Sequence, residues 1–303
     1  MNQIAAPDKY RASGSRVWLA LAAVYLIWGS TYLAIRFTVE TMPPFLSAAA
    51  RFIISGAFLV FFRRLAGDAM PSSVQWRNAA MIGIFLLVCG NGGVVWAAQF
   101  IPSSLSALLV ATVPLWMVLL DTIRPGGSSP DIRSLCGILL GFTGALLLIG
   151  LTRDGASTEN FYGSLVVLGA SLFWAVGSVY GKTAVLPVSP LLTTGIEMLA
   201  GGAVQAIVAL MSGEFDRFSF ALLSERSVLA WVYLTMVGTL AFVAYAWLLR
   251  AAPLPLVATY SYVNPLVAII LGHLLGKEVI TARVLLATGL IVGSVALVSR
   301  RRT

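Results

Sequence analysis

The stretch IWGSTYLAIR (residues 27–36) returns in altered form 146 positions later as FWAVGSVYGK (residues 173–182). Rare residue types coincide at this one offset, which chance does not readily produce. The coinciding pairs include Trp28 with Trp174, Arg36 with Lys182, and Pro44 with Pro190. An internal repeat of this length determines how the rest of the chain is interpreted. The chain is therefore predicted to consist of two similar halves.

Farther along each half, the offset between matching residues grows to 151. The matches at this offset are Trp96 with Trp247, Ala107 with Ala258, and Pro114 with Pro265. The loop between the second and third helices of each half can absorb the five extra residues. We predict one repeat over residues 1–151 and a second over residues 152–303.

The composition of the 303-residue chain indicates that both repeats lie in a membrane. Hydrophobic residues make up 59% and charged residues 11%, whereas a soluble domain has about 25% charged residues. Ten apolar runs are long enough for helices that cross a bilayer, which takes about 20 residues. They are 17–36, 44–62, 76–99, 103–121, 133–151, 161–181, 190–212, 227–249, 254–275 and 283–299. This predicts an all-α membrane protein with ten transmembrane helices and no room for a soluble enzyme domain.

Basic residues are distributed unequally between the two ends of these spans. If the N-terminus is cytoplasmic, 13 of the 20 Lys and Arg residues fall at cytoplasmic ends and 6 at outer ends, with Arg51 inside a span. Cytoplasmic loops of membrane proteins carry such an excess. We therefore predict a multi-pass inner-membrane protein with both termini in the cytoplasm. The net charge of +8 follows from this orientation and does not indicate a nucleic-acid partner.

Five spans per half is an odd number, so the second half must enter the membrane from the opposite side. Inverted-topology repeats are typical of secondary transporters, in which the solute site lies near the bilayer midplane between the halves. The alternative is a gene duplication that has no mechanistic meaning.

Two further stretches resemble a known family. YLIWGSTYLAIRF (residues 25–37) resembles the first-helix signature of the EamA branch of the drug/metabolite transporter superfamily. YVNPLVAIILGHLLGKEVIT (residues 262–281) resembles its ninth-helix pattern, with Lys277 between the usual Gly-Glu pair. The first-half counterpart, VPLWMVLLDTIRPGGSSPD (residues 113–131), lacks the Gly-Glu element. The resemblance implies ten helices around a central cavity and export of small metabolites, often amino acids, or of toxic organic compounds.

Arg51 and Glu197 are the charged residues that lie well inside predicted spans, and the 146-residue offset makes them equivalent. An ionisable residue near the bilayer centre costs about 2.5 to 3.5 kcal/mol and usually faces a cavity or a partner. Because the halves are inverted, Arg51 should lie towards the outer side and Glu197 towards the inner side. Three interpretations remain open: separate polar anchors or gate elements, a direct ion pair, and a proton-coupling carboxylate.

Pro114 and Pro265 lie in the middle of the fourth and ninth spans. A proline inside a helix removes a backbone donor and bends the helix. Each proline is thus either a hinge or binding element or a passive packing kink.

Polar and aromatic residues recur on several spans and predict an apolar pocket with a few placed polar groups. Aromatic residues near span ends can instead belong to the interfacial belt. The candidate pathway residues, besides Arg51 and Glu197, are Trp28, Tyr32, Asn91, Trp96, Trp174, Ser178, Tyr260 and Asn264.

Small residues spaced four apart mark the fifth and tenth spans. These pairs are Gly137 with Gly141 and Gly289 with Gly293. Such pairs allow close helix packing, either within the chain or in a homodimer.

No motif indicates catalysis or a cofactor. GSVYGKT (residues 177–183) has three residues where a phosphate-binding loop needs four, and His273 is the sole histidine. We therefore expect no enzyme activity, no cofactor and no metal ion. The expected partners are the lipid bilayer and a small-molecule solute.

The sequence therefore predicts a secondary transporter that exports small organic solutes, such as amino acids, by alternating access. The scarcity of basic residues in the spans argues against polyanionic solutes, which need Lys or Arg clamps. A zwitterion could use Arg51 for its carboxylate and Glu197 for its ammonium group. Efflux of toxic organic cations and a channel-like uniporter are the alternatives.

Overall fold

The computed structural model describes residues 14–123, 131–149, 158–252, 254–257 and 259–299. In these ranges the chain is helical, and no strand is present. The α-helices are α1 Gly14–Thr38, α2 Pro44–Leu65, α3 Ser73–Gly83, α4 Gly92–Ala97, α5 Ser103–Val110, α6 Val113–Ile123, α7 Ile132–Ile149, α8 Thr158–Gly181, α9 Pro190–Met211, α10 Glu214–Arg217, α11 Glu225–Ala251, α12 Leu254–Val257, α13 Tyr260–Leu274 and α14 Ala282–Ser299. A π-helix, Ile84–Asn91, joins α3 to α4, and a short 3₁₀ turn spans Phe220–Leu222.

Eight helical stretches in the described ranges are long and apolar enough to cross a membrane. They include Ser73–Ala97 and Ser103–Ile123, each built from more than one helix. The helices α13 and α14 are apolar but shorter, and they occupy the positions of the ninth and tenth predicted spans. The count of ten spans and their orientation remain predictions.

Local sequence explains where several of these helices begin. Pro44 and Pro190, matched by the repeat, are the first residues of α2 and α9, a position where the missing N–H of proline is not needed. The α3 helix starts at a capping box, in which the Ser72 hydroxyl accepts from the Gln75 N–H and the Gln75 side chain accepts from the Ser72 N–H. Such caps satisfy backbone donors that the helix leaves free.

Hydrogen bonds between loops and helix ends define two ends of the bundle. The Glu278 end contains the end of α1 and the starts of α2, α5 and α11, joined by contacts such as Arg36 with Glu278 and the Leu46 N–H with Glu214. The Asp68 end contains the ends of α2 and α8 and the start of α3, where Gln75 donates to the Leu186 carbonyl. Under the charge-based orientation, the Glu278 end is the outer one.

The helices α2 and α9 run in opposite directions and pack through glycines. A Cβ on Gly56 would lie 2.7 Å from the Gly195 carbonyl oxygen, and one on Gly202 would lie 2.9 Å from the Ile53 nitrogen. Real Cβ atoms do not come this close to backbone, so the two helices touch backbone to backbone. This contact joins the second helix of each predicted half.

The start of the π-helix lies equally close to α9. A Cβ on Gly83 would lie 2.8 Å from the Glu197 Cα, and one on Gly201 would lie 3.2 Å from the Gly83 carbonyl oxygen. The small residues after Glu197 therefore allow a neighbouring helix to approach the backbone of α9, as small residues do in membrane bundles.

The glycines of the fifth and tenth spans have different surroundings. Gly137 and Gly141 face Ser294 on α14 of the same chain, whereas a Cβ on Gly289 or Gly293 would meet nothing within 4 Å. The first pair is thus used for packing within the chain. A homodimer remains a prediction, and the open Gly289 and Gly293 face is where the structure leaves room for it.

Candidate functional site

A cavity of about 100 Å³ lies between residues of both predicted halves. Its walls come from α1, α2, the π-helix, α4, α5, α6, α8, α9, α11 and α13. Drug-sized ligands occupy pockets of roughly 300 to 1,000 Å³. In this conformation, the cavity therefore suits a small solute.

Arg51 is the charged residue among the described residues that line this cavity. Its side chain is buried (6% exposed) and donates from Nη2 to the Asn91 Oδ1 at 2.9 Å. The guanidinium carbon also lies 4.2 Å from the centre of the Phe52 ring. The Nε–H of Arg51 is buried and has no hydrogen-bond partner among the described residues. Since buried polar groups are normally paired, a bound acceptor that reached this donor would complete the hydrogen bonds of Arg51.

The π-helix places Asn91 beside Arg51. The Gly92 N–H bonds to the Leu87 carbonyl, five residues back, and the fully buried Gln205 of α9 donates from Nε2 to the same carbonyl at 2.6 Å. A π-turn rotates the residues that follow it relative to an α-helix and is frequent at functional sites. Gln205 therefore stabilises the turn that orients the partner of Arg51.

Aromatic rings form another wall of the cavity. The Trp28 ring lies 5.3 Å from Phe242 and 5.3 Å from Tyr260, and 4.9 Å from Tyr245. Tyr32 and Trp174 line the same space. Asn264, also in the lining, faces the backbone carbonyls of Tyr25 and Tyr260 with its amide, and we assign the amide nitrogen to this side because only the nitrogen can donate to them. This wall offers ring faces to the apolar body of a solute.

Three candidate residues lie outside the cavity lining. Trp96 packs on Phe100, with ring centres 4.9 Å apart, and the Ser178 hydroxyl donates to the Trp174 carbonyl of its own helix. Glu197 is also absent from the lining. Among the described residues, its carboxylate makes no hydrogen bond or ion pair, and Arg51 bonds to Asn91 instead. The structure thus contains no Arg51–Glu197 ion pair.

The two mid-span prolines differ in their surroundings. Pro114 follows a break in the fourth span, where α5 ends at Val110 and α6 begins at Val113. Pro265 lies inside α13 and lines the cavity, and the chain turns just before α13 begins at Tyr260. Both spans are thus interrupted at the level of the cavity, as in transporters with discontinuous helices.

Sequence patterns did not point to Phe52, Phe242 or Gln205 as parts of the site. The two phenylalanines are ordinary residues for an apolar span. The sequence could have pointed to Gln205, because an amide side chain within an apolar helix needs a hydrogen-bond partner inside the protein.

Comparison with known proteins identifies the family. Residues 15–150 and 161–300 each match the EamA-like transporter family. The chain belongs to this family. It is 40% identical over 282 residues to "Uncharacterized inner membrane transporter YedA" of Escherichia coli K12. This alignment covers 92% of this chain and 89% of the relative. It is 26% identical to an "Uncharacterized transporter" of Archaeoglobus fulgidus (83% of this chain, 86% of the relative) and 26% identical to "Protein PagO" of Salmonella typhimurium (89% and 88%).

A solved crystal structure shares the fold described above. It superposes on this chain with a TM-score of 0.64 at 23% identity, and the superposition covers 96% of this chain and all of the chain in the crystal structure. The protein is therefore a multi-pass inner-membrane transporter of the EamA family in the drug/metabolite transporter superfamily.

Proposed function

We propose that this EamA transporter exports small organic solutes that carry a carboxylate, with amino acids as the leading class, by alternating access. The observation that carries the proposal is Arg51, a buried guanidinium that lines the central cavity and whose Nε–H has no hydrogen-bond partner among the described residues. A fixed guanidinium is well suited to a carboxylate because its N–H groups match the two oxygens. The cavity volume and the aromatic wall favour a compact solute with an apolar body.

The surroundings of Glu197 change how a zwitterion would be held. Since Glu197 does not line the cavity, the ammonium group is assigned to the aromatic wall, where ring faces attract cations. The wall includes Trp28 and Tyr260. Arg51 lies on α2 and these two residues lie on α1 and α13, so the solute would bind with its two ends against different helices.

Export is supported by the difference between the two ends of the bundle. A groove of about 790 Å³ opens at the Asp68 end, the predicted cytoplasmic side, between residues such as Ala20, Leu192 and Ala244. The Glu278 end is joined by ion pairs and hydrogen bonds between the halves. This conformation suits loading from the cytoplasm.

Counterflow in proteoliposomes tests the substrate class. Each amino acid of a panel is compared with the amine and the carboxylic acid that share its side chain. We expect internal unlabelled solute to accelerate uptake of labelled amino acids and carboxylic acids much more strongly than uptake of the amines. Acceleration for amines alone would favour organic-cation efflux, and rapid flux without acceleration would favour a channel. Either result contradicts the proposal.

A further inference from the structure

The Glu278 carboxylate is held by one helix start and one cation. Its Oε1 accepts from the N–H and hydroxyl of Ser103, both at 2.7 Å. Its Oε2 accepts from the N–H of Ser104 at 3.0 Å and from the Ser104 hydroxyl at 2.5 Å. Arg36 donates to Oε1 at 2.5 Å, and only 4% of the Glu278 side chain is exposed. We call these four residues the Glu278 latch.

The latch joins the two predicted halves across the bundle. Glu278 lies in the second half, between α13 and α14, whereas Ser103 and Ser104 begin α5 in the first half. The carboxylate supplies the acceptors that the free N–H groups at a helix start require, and the positive end of the helix dipole adds to the attraction. The start of α5 is therefore fixed to the other half by charge-assisted bonds.

Another carboxylate of the second half accepts a hydrogen bond from the start of α2. Glu214 is buried and accepts from the Leu46 N–H, in the first turn of α2, at 2.8 Å. Nearby, Arg226 pairs with Glu40 at 2.6 Å. Charged contacts between the halves thus recur at the Glu278 end.

Among the residues that the structure describes, the Asp68 end has no equivalent of the latch. Its ion pair between Arg63 and Asp68 lies within one half. The Asp68 carboxylate also accepts a hydrogen bond from Ser189 of the other half. The other described bonds between the halves there are neutral, as in those from Asn78 to the Val185 carbonyl and from Tyr180 to Asn78. The sequence explains the difference, because the 151-residue offset matches the latch residues Ser103, Ser104 and Glu278 with Leu254, Pro255 and Gly127. None of these side chains can form the latch.

The helix α5 is short and is separated from α6 by a break. It ends at Val110, the chain turns at Ala111 and Thr112, and α6 begins at Val113. Ala107, one turn inside the latch, lines the central cavity. Movement of α5 away from the other half would therefore open the cavity towards the Glu278 end.

We propose that the Glu278 latch is the gate contact that keeps the cavity closed at the Glu278 end, and that its release lets α5 swing about the break at Ala111 and Thr112. Glu278 acts as a positioning residue that holds α5 in the closed position. The proposal depends on the transporter fold and not on the substrate class.

Cysteine accessibility without any solute tests the proposal. Ala107→Cys is introduced into a background in which the two cysteines are replaced, Cys89→Ala and Cys136→Ala. A membrane-impermeant maleimide is added to right-side-out and inverted vesicles. We expect Glu278→Gln to raise the labelling rate of the new cysteine from the Glu278 side about tenfold, the factor that corresponds to about 1.4 kcal/mol. The double variant Ser103→Ala, Ser104→Ala should raise it similarly.

Two controls separate gating from loss of structure. Glu225→Gln changes an exposed carboxylate at the same end and should leave labelling unchanged. Ala244→Cys reports on the groove at the Asp68 end, and its labelling should fall when the gate opens. Unchanged labelling at position 107 in a folded Glu278→Gln protein would overturn the proposal. A rise at both reporters would show general loosening and would also overturn it.

The same assay predicts a pH dependence. Burial raises the pKa of Glu278, but the hydrogen bonds from Ser104 and Ser103 lower it by more, so the pKa lies below its usual value. The latch is thus present above the usual glutamate pKa of about 4.3 and is lost only as the pH falls through the lower pKa. Glu278 also contacts Arg36 through its carboxylate and His273 through its backbone carbonyl. Labelling at position 107 should stay constant between about pH 7 and pH 5, and an increase in that range would contradict control by Glu278.

Discussion

Arg51→Met is expected to lower transport efficiency for carboxylated solutes by about tenfold to a hundredfold. Hydrogen bonds to charged groups contribute about 1.5 to 3 kcal/mol each, and each 1.4 kcal/mol corresponds to about a factor of ten. Methionine approximates the length of the arginine stem and packs in irregular apolar space. The measurement is initial counterflow rate against solute concentration in proteoliposomes.

The design separates recognition from structure by comparing solutes. Arg77→Met removes an exposed arginine of α3 and should behave as the wild type. For a folded Arg51→Met protein, a solute that lacks the carboxylate should be handled no worse than by the wild type. Equal losses for both kinds of solute would mean that Arg51 holds the cavity together through Asn91 and does not bind the carboxylate.

Gly83→Ala is expected to destabilise the protein by about 3 kcal/mol, the upper end of the range for overpacked cores. The added methyl group would meet the backbone of Glu197, including its Cα at 2.8 Å. Backbone cannot rotate away as a flexible side chain can, so α3 or α9 must shift. The midpoint of thermal unfolding in detergent should fall, and the yield of monodisperse protein should fall with it.

Gly169→Ala is the matched control, because a Cβ on Gly169 of α8 would meet nothing within 4 Å. It should leave the thermal midpoint unchanged or raise it slightly, because alanine is favoured over glycine inside a helix by about 1 kcal/mol. If Gly83→Ala and Gly169→Ala have the same midpoint, the close contact between α3 and α9 does not determine stability.

The apolar runs predicted the all-helical membrane architecture because hydrophobicity is recorded directly in residue types, and residues paired by the repeat have matching places in it. Trp28 and Trp174 both line the cavity, and Pro44 and Pro190 begin antiparallel neighbours. Arg51 was detectable for a physical reason: a charge inside an apolar span needs a cavity or a partner.

The same reasoning failed where side-chain direction decides the outcome. Trp96 and Ser178 have suitable residue types at a suitable depth, but Trp96 packs on Phe100 and Ser178 bonds to its own helix. The π-helix also alters the angular position of the residues after it, which a regular helical period does not capture. Glu278 was visible only as part of a family motif, because its serine partners lie about 175 residues earlier in the chain and Arg36 lies 242 residues earlier.

The glycine contact between α2 and α9 has a consequence for biogenesis. The ribosome must synthesise the whole stretch from Leu65 to Pro190 before α9 can reach α2, which takes on the order of ten seconds at roughly 5 to 20 residues per second. During this time, lipid tails must cover the Gly56 face, since its partner has not yet been made. Codons or substitutions that slow synthesis between these helices should therefore lengthen the interval in which membrane proteases can recognise the unfinished chain.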